Sequence, residues 1–316
     1  MNSQTLPTMR NSADTVDAVV ILLRELIDYA GLFPPAALAM AASVANYEAY
    51  SRSEWNWMLG RFIVPVARLA EFEEAFAELP AAAPGAGFAA CRLSVLPGPD
   101  PVADVARLRE FNARMSASNS SRRAIVESVE MKAASAEEIA RLAGIIPSEL
   151  TAYFEIPASG GGECIAAIAG CGRRAKIRTG GETADKFPEA ANVIEFMRLC
   201  AASGVPFKAT AGLHHPVRSV HRFTYQADSP SGMMHGFLNI FLAAAFLRAG
   251  MDAAMAAQLL EEQSSEAFHF DSNGVEWRQH RLSQGEIAEA RQDFAVSFGS
   301  CSFTEPVDDL RSLHIL

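Results

Sequence analysis

A strand–helix–strand unit occupies residues 175–212, with the sequence AKIRTGGETADKFPEAANVIEFMRLCAASGVPFKATAG. Short runs at residues 175–178 and 206–211 predict two strands, and the apolar spacing around residues 190–202 predicts the helix between them. A helical crossover of this kind is the connection that parallel strands require. The stretch therefore predicts two parallel strands of an α/β fold.

The same alternation of strand and helix runs through almost the whole chain. Seven strand-plus-helix units are predicted, and an eighth strand is expected near residues 267–270. No linker rich in Pro, Ser or charge divides the chain. The first strand ends in Gly31-Leu-Phe-Pro-Pro35, which cannot serve as the glycine fingerprint of an open doubly wound sheet. We therefore expect one (β/α)8 barrel domain over residues 1–316, with a helical insertion and a hairpin in residues 217–282.

The composition is that of a packed globular protein with an acidic surface. The 316 residues include 27 Lys or Arg and 37 Asp or Glu, which gives a formal net charge of −10. Nucleic acid and anionic membranes both require a basic face, so neither is expected as a partner. The longest apolar stretch is about half as long as a membrane-spanning helix.

Five cysteines without a C-x-x-C pair indicate neither a disulfide framework nor a zinc ribbon. We therefore expect a cytoplasmic protein. The segment 232–247 is apolar nearly all round, which suits burial inside the chain or at the interface of a homo-oligomer.

Charged residues lie near the carboxyl ends of several predicted strands, where a barrel carries its active site. By the two-residue period of a strand, Glu130 and Lys132 share one face. By the same period, Lys176 and Arg178 share one face of another strand. Several cations cannot be buried together without carboxylates or an anionic ligand, so a pocket for a small anionic metabolite is expected. The inward-facing charged residues are predicted to be Glu130, Lys132, Glu155, Lys176, Arg178 and Lys208.

Two lysines on neighbouring strands suit covalent chemistry on a carbonyl group. A lysine that is desolvated beside other cations is expected to have a lowered pKa, and its amine can then form a Schiff base. Lys176 and Lys208 suit this purpose, one as nucleophile and the other as the group that lowers its pKa or moves protons. Alternatively, both lysines only hold a phosphate or carboxylate group of the substrate.

Residues 174–213 resemble the sixth and seventh strands of deoxyribose-phosphate aldolase, a (β/α)8 barrel of the class I, Schiff-base type. The resemblance rests on Ala175-Lys-Ile-Arg-Thr-Gly-Gly181, on Val193-Ile-Glu-Phe-Met-Arg198 and on Phe207-Lys-Ala-Thr-Ala-Gly212. It implies a lyase that uses neither a cofactor nor a stoichiometric metal ion.

Carried over residue by residue, the resemblance makes Lys176 the Schiff-base lysine and Lys208 the second lysine that tunes it. Thr179 and Gly180 match the Thr-Gly of the family's motif, whereas Arg178 stands where the family has a small residue. We expect Glu130 or Glu155, with Lys132, to handle protons, and Arg178 to bind the carboxylate or phosphate of the substrate. The predicted substrate-binding residues are Lys132, Arg178, Thr179, Gly180, Thr210 and His214.

Three alternatives remain open at this point. Glu155 and His214 could instead hold a divalent metal in a barrel lyase. Glu127 and Glu130, followed by a lysine, resemble faintly the barrels that transfer phosphoribosyl groups. The third alternative is a barrel that binds an anionic metabolite without catalysis.

Three smaller features also bear on the pocket. The turn Thr179-Gly180-Gly181 before a helix could hold a phosphate on backbone N–H groups. His235 and Asn239 are expected on one face of a helix. Asp28, in the first predicted strand, is a further acid that could lie at the mouth.

Overall fold

Eight parallel strands close into a barrel, which confirms the predicted (β/α)8 fold. The structure, a computed structural model, describes residues 17–80, 90–117 and 122–316. The barrel strands are β1 (Ile27–Tyr29), β2 (Leu59–Pro65), β3 (Cys91–Leu96), β4 (Ala124–Lys132), β5 (Thr151–Glu155), β6 (Arg174–Arg178), β7 (Phe207–Thr210) and β8 (Ala295–Ser300). Each strand pairs with the next in this order, and β8 pairs with β1 to close the barrel.

Helices alternate with these strands along the chain. They are α1 (Asp17–Leu23), α2 (Met40–Ser51), α3 (Leu69–Glu78), α4 (Pro101–Ala117), α5 (Ala136–Ile145), α6 (Gly162–Gly170), α7 (Ala190–Ala202), α8 (Phe237–Arg248), α9 (Ala253–Leu260), α10 (Gln284–Asp293) and α11 (Thr304–Ser312). Ser135 caps α5 by accepting a hydrogen bond from the Glu138 backbone N–H, as the sequence predicts. None of the helices in the described part of the chain is long and apolar enough to span a membrane.

The prediction of the eighth strand near residues 267–270 is wrong. Strand Phe268–Asp271 pairs antiparallel with Gly274–Trp277 in a separate three-stranded sheet, so the predicted hairpin is confirmed there. The true eighth strand, β8, lies where the sequence predicts the end of a helix over residues 283–298. Ile287, Ala290 and Phe294 are all buried at helical spacing, and this spacing continues past the residue at which α10 ends.

The apolar insertion is buried within the chain itself. Residues 232–248 are predicted as one helix, but Ser231–Met234 forms an antiparallel ribbon with Ser219–Arg222, and α8 begins only at Phe237. Helices α7, α9 and α10 surround α8, which explains why it is apolar on all sides. His235 therefore precedes the helix and does not share a helix face with Asn239.

Strand register places the charged residues at one level of the barrel. Lys132 is the partner of Glu155 across β4 and β5, and Glu155 is the partner of Lys176 across β5 and β6. Lys176 is in turn the partner of Lys208 across β6 and β7. Partners in a parallel register point to the same face of a sheet, so the barrel collects these side chains near its carboxyl end.

We predict that Asn239→Ala lowers the free energy of unfolding by about 1 to 3 kcal/mol, because buried polar groups would lose their partners. The Asn239 amide donates to the carbonyl oxygens of Leu259 and Glu262, both at 2.9 Å, and accepts from the Arg218 N–H. Urea unfolding measures the change. A loss below about 0.5 kcal/mol, the range of ordinary surface substitutions, would show that this amide does not anchor the insertion.

Candidate active site

A continuous chain of alternating acids and bases lies inside the carboxyl end of the barrel. The Lys208 ammonium donates hydrogen bonds to Asp28 Oδ2 and to Glu130 Oε1, both at 2.6 Å. Lys176 Nζ lies 2.8 Å from Glu130 Oε2 and 2.9 Å from Glu155 Oε2. Arg178 continues the chain, since its Nε donates to Glu155 Oε1 at 3.2 Å. The order of the chain is Asp28, Lys208, Glu130, Lys176, Glu155 and Arg178.

Burial decreases steadily along this chain. Asp28 and Lys208 are 0% and 1% exposed, Lys176 is 5% exposed, and the Arg178 side chain at the other end is 42% exposed. Buried charges are tolerated when each has an opposite partner, and the alternation supplies one for every member. The chain therefore leads from the closed interior of the barrel to its solvent-exposed rim.

Asp28 is fixed beneath Lys208 by groups from two other strands, β8 and β2. Its Oδ2 accepts from Ser297 Oγ at 2.8 Å, and its Oδ1 accepts from the Arg61 N–H at 2.7 Å. Gly60 leaves room for the carboxylate, because a Cβ there would lie 2.3 Å from Asp28 Oδ1. The Lys208 ammonium also lies 5.4 Å from the centre of the Tyr153 ring, a favourable cation–π distance. Lys208 is thus held on several sides.

Glu130 is the acid that joins the two lysines. Ser94 Oγ donates to its Oε1 at 2.6 Å, and Ser128 Oγ lies 2.9 Å from Ser94 Oγ, to which it donates. Its other oxygen, Oε2, contacts Lys176 but accepts no well-aligned hydrogen bond from the described residues. Glu130 is therefore fixed through its Oε1, and the charge on its Oε2 is balanced by the Lys176 ammonium group.

The charges around these groups set their protonation. Burial alone would raise the pKa of Glu130, but the ammonium groups of Lys176 and Lys208 hold it well below its ordinary value. The pKa of Glu155 is lowered in the same way, by Lys176 and Arg178 against the effect of burial. Both carboxylates are therefore ionised at neutral pH.

The pKa of Lys208 shifts in the direction opposite to the one expected for a desolvated lysine. Burial would lower its pKa, but Asp28 and Glu130 outweigh burial and raise the pKa above its ordinary value. The sequence assigns Lys208 as the group that lowers the pKa of its neighbour, and it does not show that two carboxylates flank Lys208 itself. Lys208 keeps its positive charge at neutral pH.

A cavity of about 480 Å³ adjoins the exposed end of the ion chain. Its walls come from the segments that follow β4, β5 and β6, and the charged and apolar groups on them include Lys132, Glu155, Ile156, Pro157, Arg178 and Lys186. Lys132 is exposed at the end of β4 and makes no ion pair with the described residues. The cavity volume lies in the range of sites for small organic ligands.

Thr179 and Gly180 join the ends of β6 and β7. The Thr179 hydroxyl donates to the Ala211 carbonyl oxygen at 2.8 Å. A Cβ on Gly180 would lie 2.6 Å from the Phe187 ring and 2.7 Å from Gly212 Cα, so close packing explains this glycine. A short 3-10 helix, Ala184–Lys186, comes next, and α7 begins only at Ala190, so the turn does not lead directly into an α-helix. Phosphate binding by its backbone N–H groups stays a prediction. A role in substrate binding for Thr179, Gly180 and the half-buried Thr210 stays a prediction.

The histidines pair with acids of α11 instead of Glu155. His214 Nδ1 lies 2.9 Å from Glu305 Oε2, and His215 Nδ1 lies 2.6 Å from Asp309 Oδ2. Across residues 17–80, 90–117 and 122–316, no group of three or more His, Cys, Asp or Glu side chains has the arrangement of a metal site. The structure thus does not bring Glu155 and His214 together as metal ligands.

Two other residues noted in the sequence also lie apart from the ion chain. Glu127 pairs with Arg61 at 2.9 Å and with Arg92 at 3.0 Å, so it does not join Glu130 in one site. His235 Nε2 lies 2.8 Å from the Pro188 carbonyl oxygen, which fixes the ring outside the barrel interior.

The sequence alone indicates Asp28 only as an additional acid, and it assigns no role to Ser94 or Ser128. Asp28 was recognisable as a charged residue between apolar neighbours in the first strand. Ser94 and Ser128 are small hydroxyl residues, and their types alone do not distinguish a hydrogen-bonding role from simple packing.

Comparisons with known proteins add no assignment. No family model matches the chain, and neither a curated protein nor a solved structure matches it. The site must therefore be interpreted from its own geometry.

We predict that Glu130→Gln destabilises the protein by roughly 3 to 5 kcal/mol at pH 7, since it breaks a buried ion network. The pKa of Glu130 is lowered by folding, so its contribution is present above the unfolded pKa of about 4.3 and is lost as the pH falls below it. The difference between wild type and Glu130→Gln should therefore shrink between pH 7 and pH 3, as measured by urea unfolding.

The matched control for this experiment is Glu195→Gln. Glu195 forms an exposed ion pair with Arg198 within α7, and such surface pairs contribute little to stability. A gap between wild type and Glu130→Gln that does not change with pH would show that Glu130 is not ionised in the folded protein.

Proposed function

We propose that the protein is an enzyme of the Schiff-base lyase type, in which Lys176 is the nucleophile toward a carbonyl compound. The observation that supports this proposal is the position of Lys176 between two ionised carboxylates, beside a lysine that stays cationic. Glu155, one of its two partners, lines the 480 Å³ cavity. The barrel fold is one that carries active sites at this end in many enzymes.

Lys176 is better placed for this reaction than Lys208. Lys208 is 1% exposed, donates two short hydrogen bonds to carboxylates and has a raised pKa, so its ammonium group cannot release a proton easily. Lys176 lies one step nearer the rim. One of its two partners, Glu155, borders the cavity, whereas both partners of Lys208 are buried.

The chemistry requires Lys176 to lose one proton before it attacks. Glu155 Oε2 or Glu130 Oε2 accepts that proton, and the free amine forms a C–N bond with the carbonyl carbon. The carbonyl oxygen takes up two protons in turn and leaves as water, which gives an iminium ion. In a substrate with a hydroxyl group on its β-carbon, Glu155 removes the hydroxyl proton, the Cα–Cβ bond breaks and its electron pair passes to the iminium ion, which gives a carbonyl fragment and an enamine on Lys176. A proton added to the enamine carbon and a water molecule added to the resulting iminium then release the second carbonyl product and the free amine.

Lys208 would contribute as a fixed positive charge. It lies on the same carboxylate as Lys176, so the negative charge of Glu130 is shared between two lysines. Its hydrogen bonds to Asp28 and Glu130 hold it in place throughout the reaction. Lys208 is thus a positioning and electrostatic residue, which agrees with the tuning role that the aldolase resemblance implies.

One structural observation favours a second possibility, a barrel without catalysis. All members of the ion chain have opposite partners in the absence of a ligand, so the network could serve only to hold the barrel closed. This alternative predicts an unreactive Lys176. The two functions are therefore separated by a test of its nucleophilicity.

We predict that aldehydes or keto acids, incubated with the protein and borohydride, add mass at Lys176. Lys176→Arg should retain the positive charge and the fold but form no adduct, because a guanidinium group is not a nucleophile at neutral pH. Intact mass spectrometry followed by peptide mapping detects the adduct. Lys186→Met is the matched control, since Lys186 lines the same cavity but is paired with Asp185 and should not affect the adduct.

Two results would contradict the proposal. The first is the absence of any adduct with every carbonyl compound tested. The second is an adduct that persists at its wild-type level in Lys176→Arg, which would move the reactive amine to another lysine.

A further inference from the structure

Two cations that line the cavity, Arg178 and Lys132, differ from the other charged groups around it. Arg178 uses only its Nε to contact Glu155, and within the described residues its two terminal nitrogens have no partner. The side chain is 42% exposed where it borders the cavity. A guanidinium group with two free N–H edges is suited to bind the paired oxygens of a carboxylate or phosphate.

Lys132 lies on the other side of β5 from Arg178. It ends β4 and is the register partner of Glu155, whose carboxylate Arg178 contacts. Its ammonium group is exposed and has no carboxylate partner in the part of the chain that the structure describes. Lys132 and Arg178 therefore flank the end of β5 from two directions.

The remaining charges on the cavity wall are already satisfied. Lys186 pairs with Asp185 at 2.9 Å, and Glu138 accepts from the Ala134 N–H at 2.9 Å. Glu155 is held by Lys176 and Arg178. The charged donors at the cavity that remain without a partner among the described residues are thus the Lys132 ammonium group and the two terminal nitrogens of Arg178.

The wall between the charged groups is apolar. Ile156, Pro157 and Ala158 follow β5 and line the cavity beside Glu155. A carbonyl compound that reaches Lys176, the ion-pair partner of Glu155, would thus meet Lys132 and Arg178 next to Glu155 and the apolar wall beyond them. The volume of about 480 Å³ accommodates more than a two- or three-carbon fragment.

We propose that Lys132 and Arg178 form an oxyanion subsite, and that the substrate is a carbonyl compound with a carboxylate or phosphate at the end of a short carbon chain. This inference rests on the proposed function, because it assigns the second end of the substrate that Lys176 attacks. Arg178 binds the oxyanion through its two terminal nitrogens, and Lys132 adds a second positive charge. The subsite selects anionic carbonyl compounds over neutral ones of the same length.

The test compares 4-oxobutanoate with butanal, two aldehydes of equal chain length that differ in the terminal carboxylate. The half-saturating concentration of each is measured from the rate of adduct formation at Lys176 in the presence of cyanoborohydride. Arg178→Met should raise this concentration about 10- to 100-fold for 4-oxobutanoate, the loss expected for a charge-assisted hydrogen bond. The half-saturating concentration of butanal should change by no more than about twofold, given the usual scatter in such effects.

Lys132→Met should also raise the half-saturating concentration of 4-oxobutanoate, but by a smaller factor, because it removes a point charge and not a bidentate donor. The matched control is Arg198→Met, which lies on α7 away from the cavity and should leave the half-saturating concentration of both aldehydes unchanged. Inorganic phosphate and succinate are added as competitors, and the stronger competitor identifies whether the subsite prefers phosphate or carboxylate. Competition by either oxyanion, lost in Arg178→Met, supports the subsite.

The outcomes separate this inference from the proposed function. If wild type traps both aldehydes equally well, or if Arg178→Met weakens both to the same extent, the oxyanion subsite is wrong while the Schiff-base chemistry stands. If neither aldehyde nor pyruvate forms an adduct with the wild-type protein, the proposed function fails, and the subsite assignment fails with it.

Discussion

The carboxylate of Glu130, shared by two lysines, is the interaction on which the interior of the barrel depends. Its two oxygens contact Lys208 and Lys176 at 2.6 and 2.8 Å. Either ammonium group would be costly to bury alone, and both are accommodated because one acid lies between them. Asp28 also contacts Lys208, and Glu155 also contacts Lys176. The members of the network therefore lie on β1, β4, β5, β6 and β7.

The two buried lysines of this network differ in their contacts. The difference follows from their surroundings: Lys208 has two hydrogen-bonded carboxylates and the Tyr153 ring around it, whereas Lys176 lies between Glu130 and an acid that borders the cavity. The protein has a net charge of −10, yet its cavity presents the Lys132 ammonium group and the terminal nitrogens of Arg178, which have no partner among the described residues. Global charge thus describes the exterior and gives no information on the polarity of a pocket.

Much of the barrel and of the site could be predicted from sequence, for a definite physical reason. In a parallel barrel the outer face of each strand must be apolar, so charged residues at a two-residue spacing, such as Lys176 and Arg178, have to point inward. Other features depend on contacts between distant parts of the chain. Asp28 and Lys208 are 180 residues apart and meet only because β8 closes the barrel between them. The direction of the Lys208 pKa shift could not be predicted for the same reason. Strand β8 was not predicted because the helical spacing of buried residues continues up to its start.

The most direct test of this account is the crystal structure of the protein after borohydride reduction with a bound carbonyl compound. The account predicts continuous density from Lys176 Nζ to the former carbonyl carbon, with Lys208 unmodified and still in contact with Asp28 and Glu130. Density joined to Lys208 Nζ instead, or an unmodified Lys176 in a crystal whose protein carries the added mass, would contradict it.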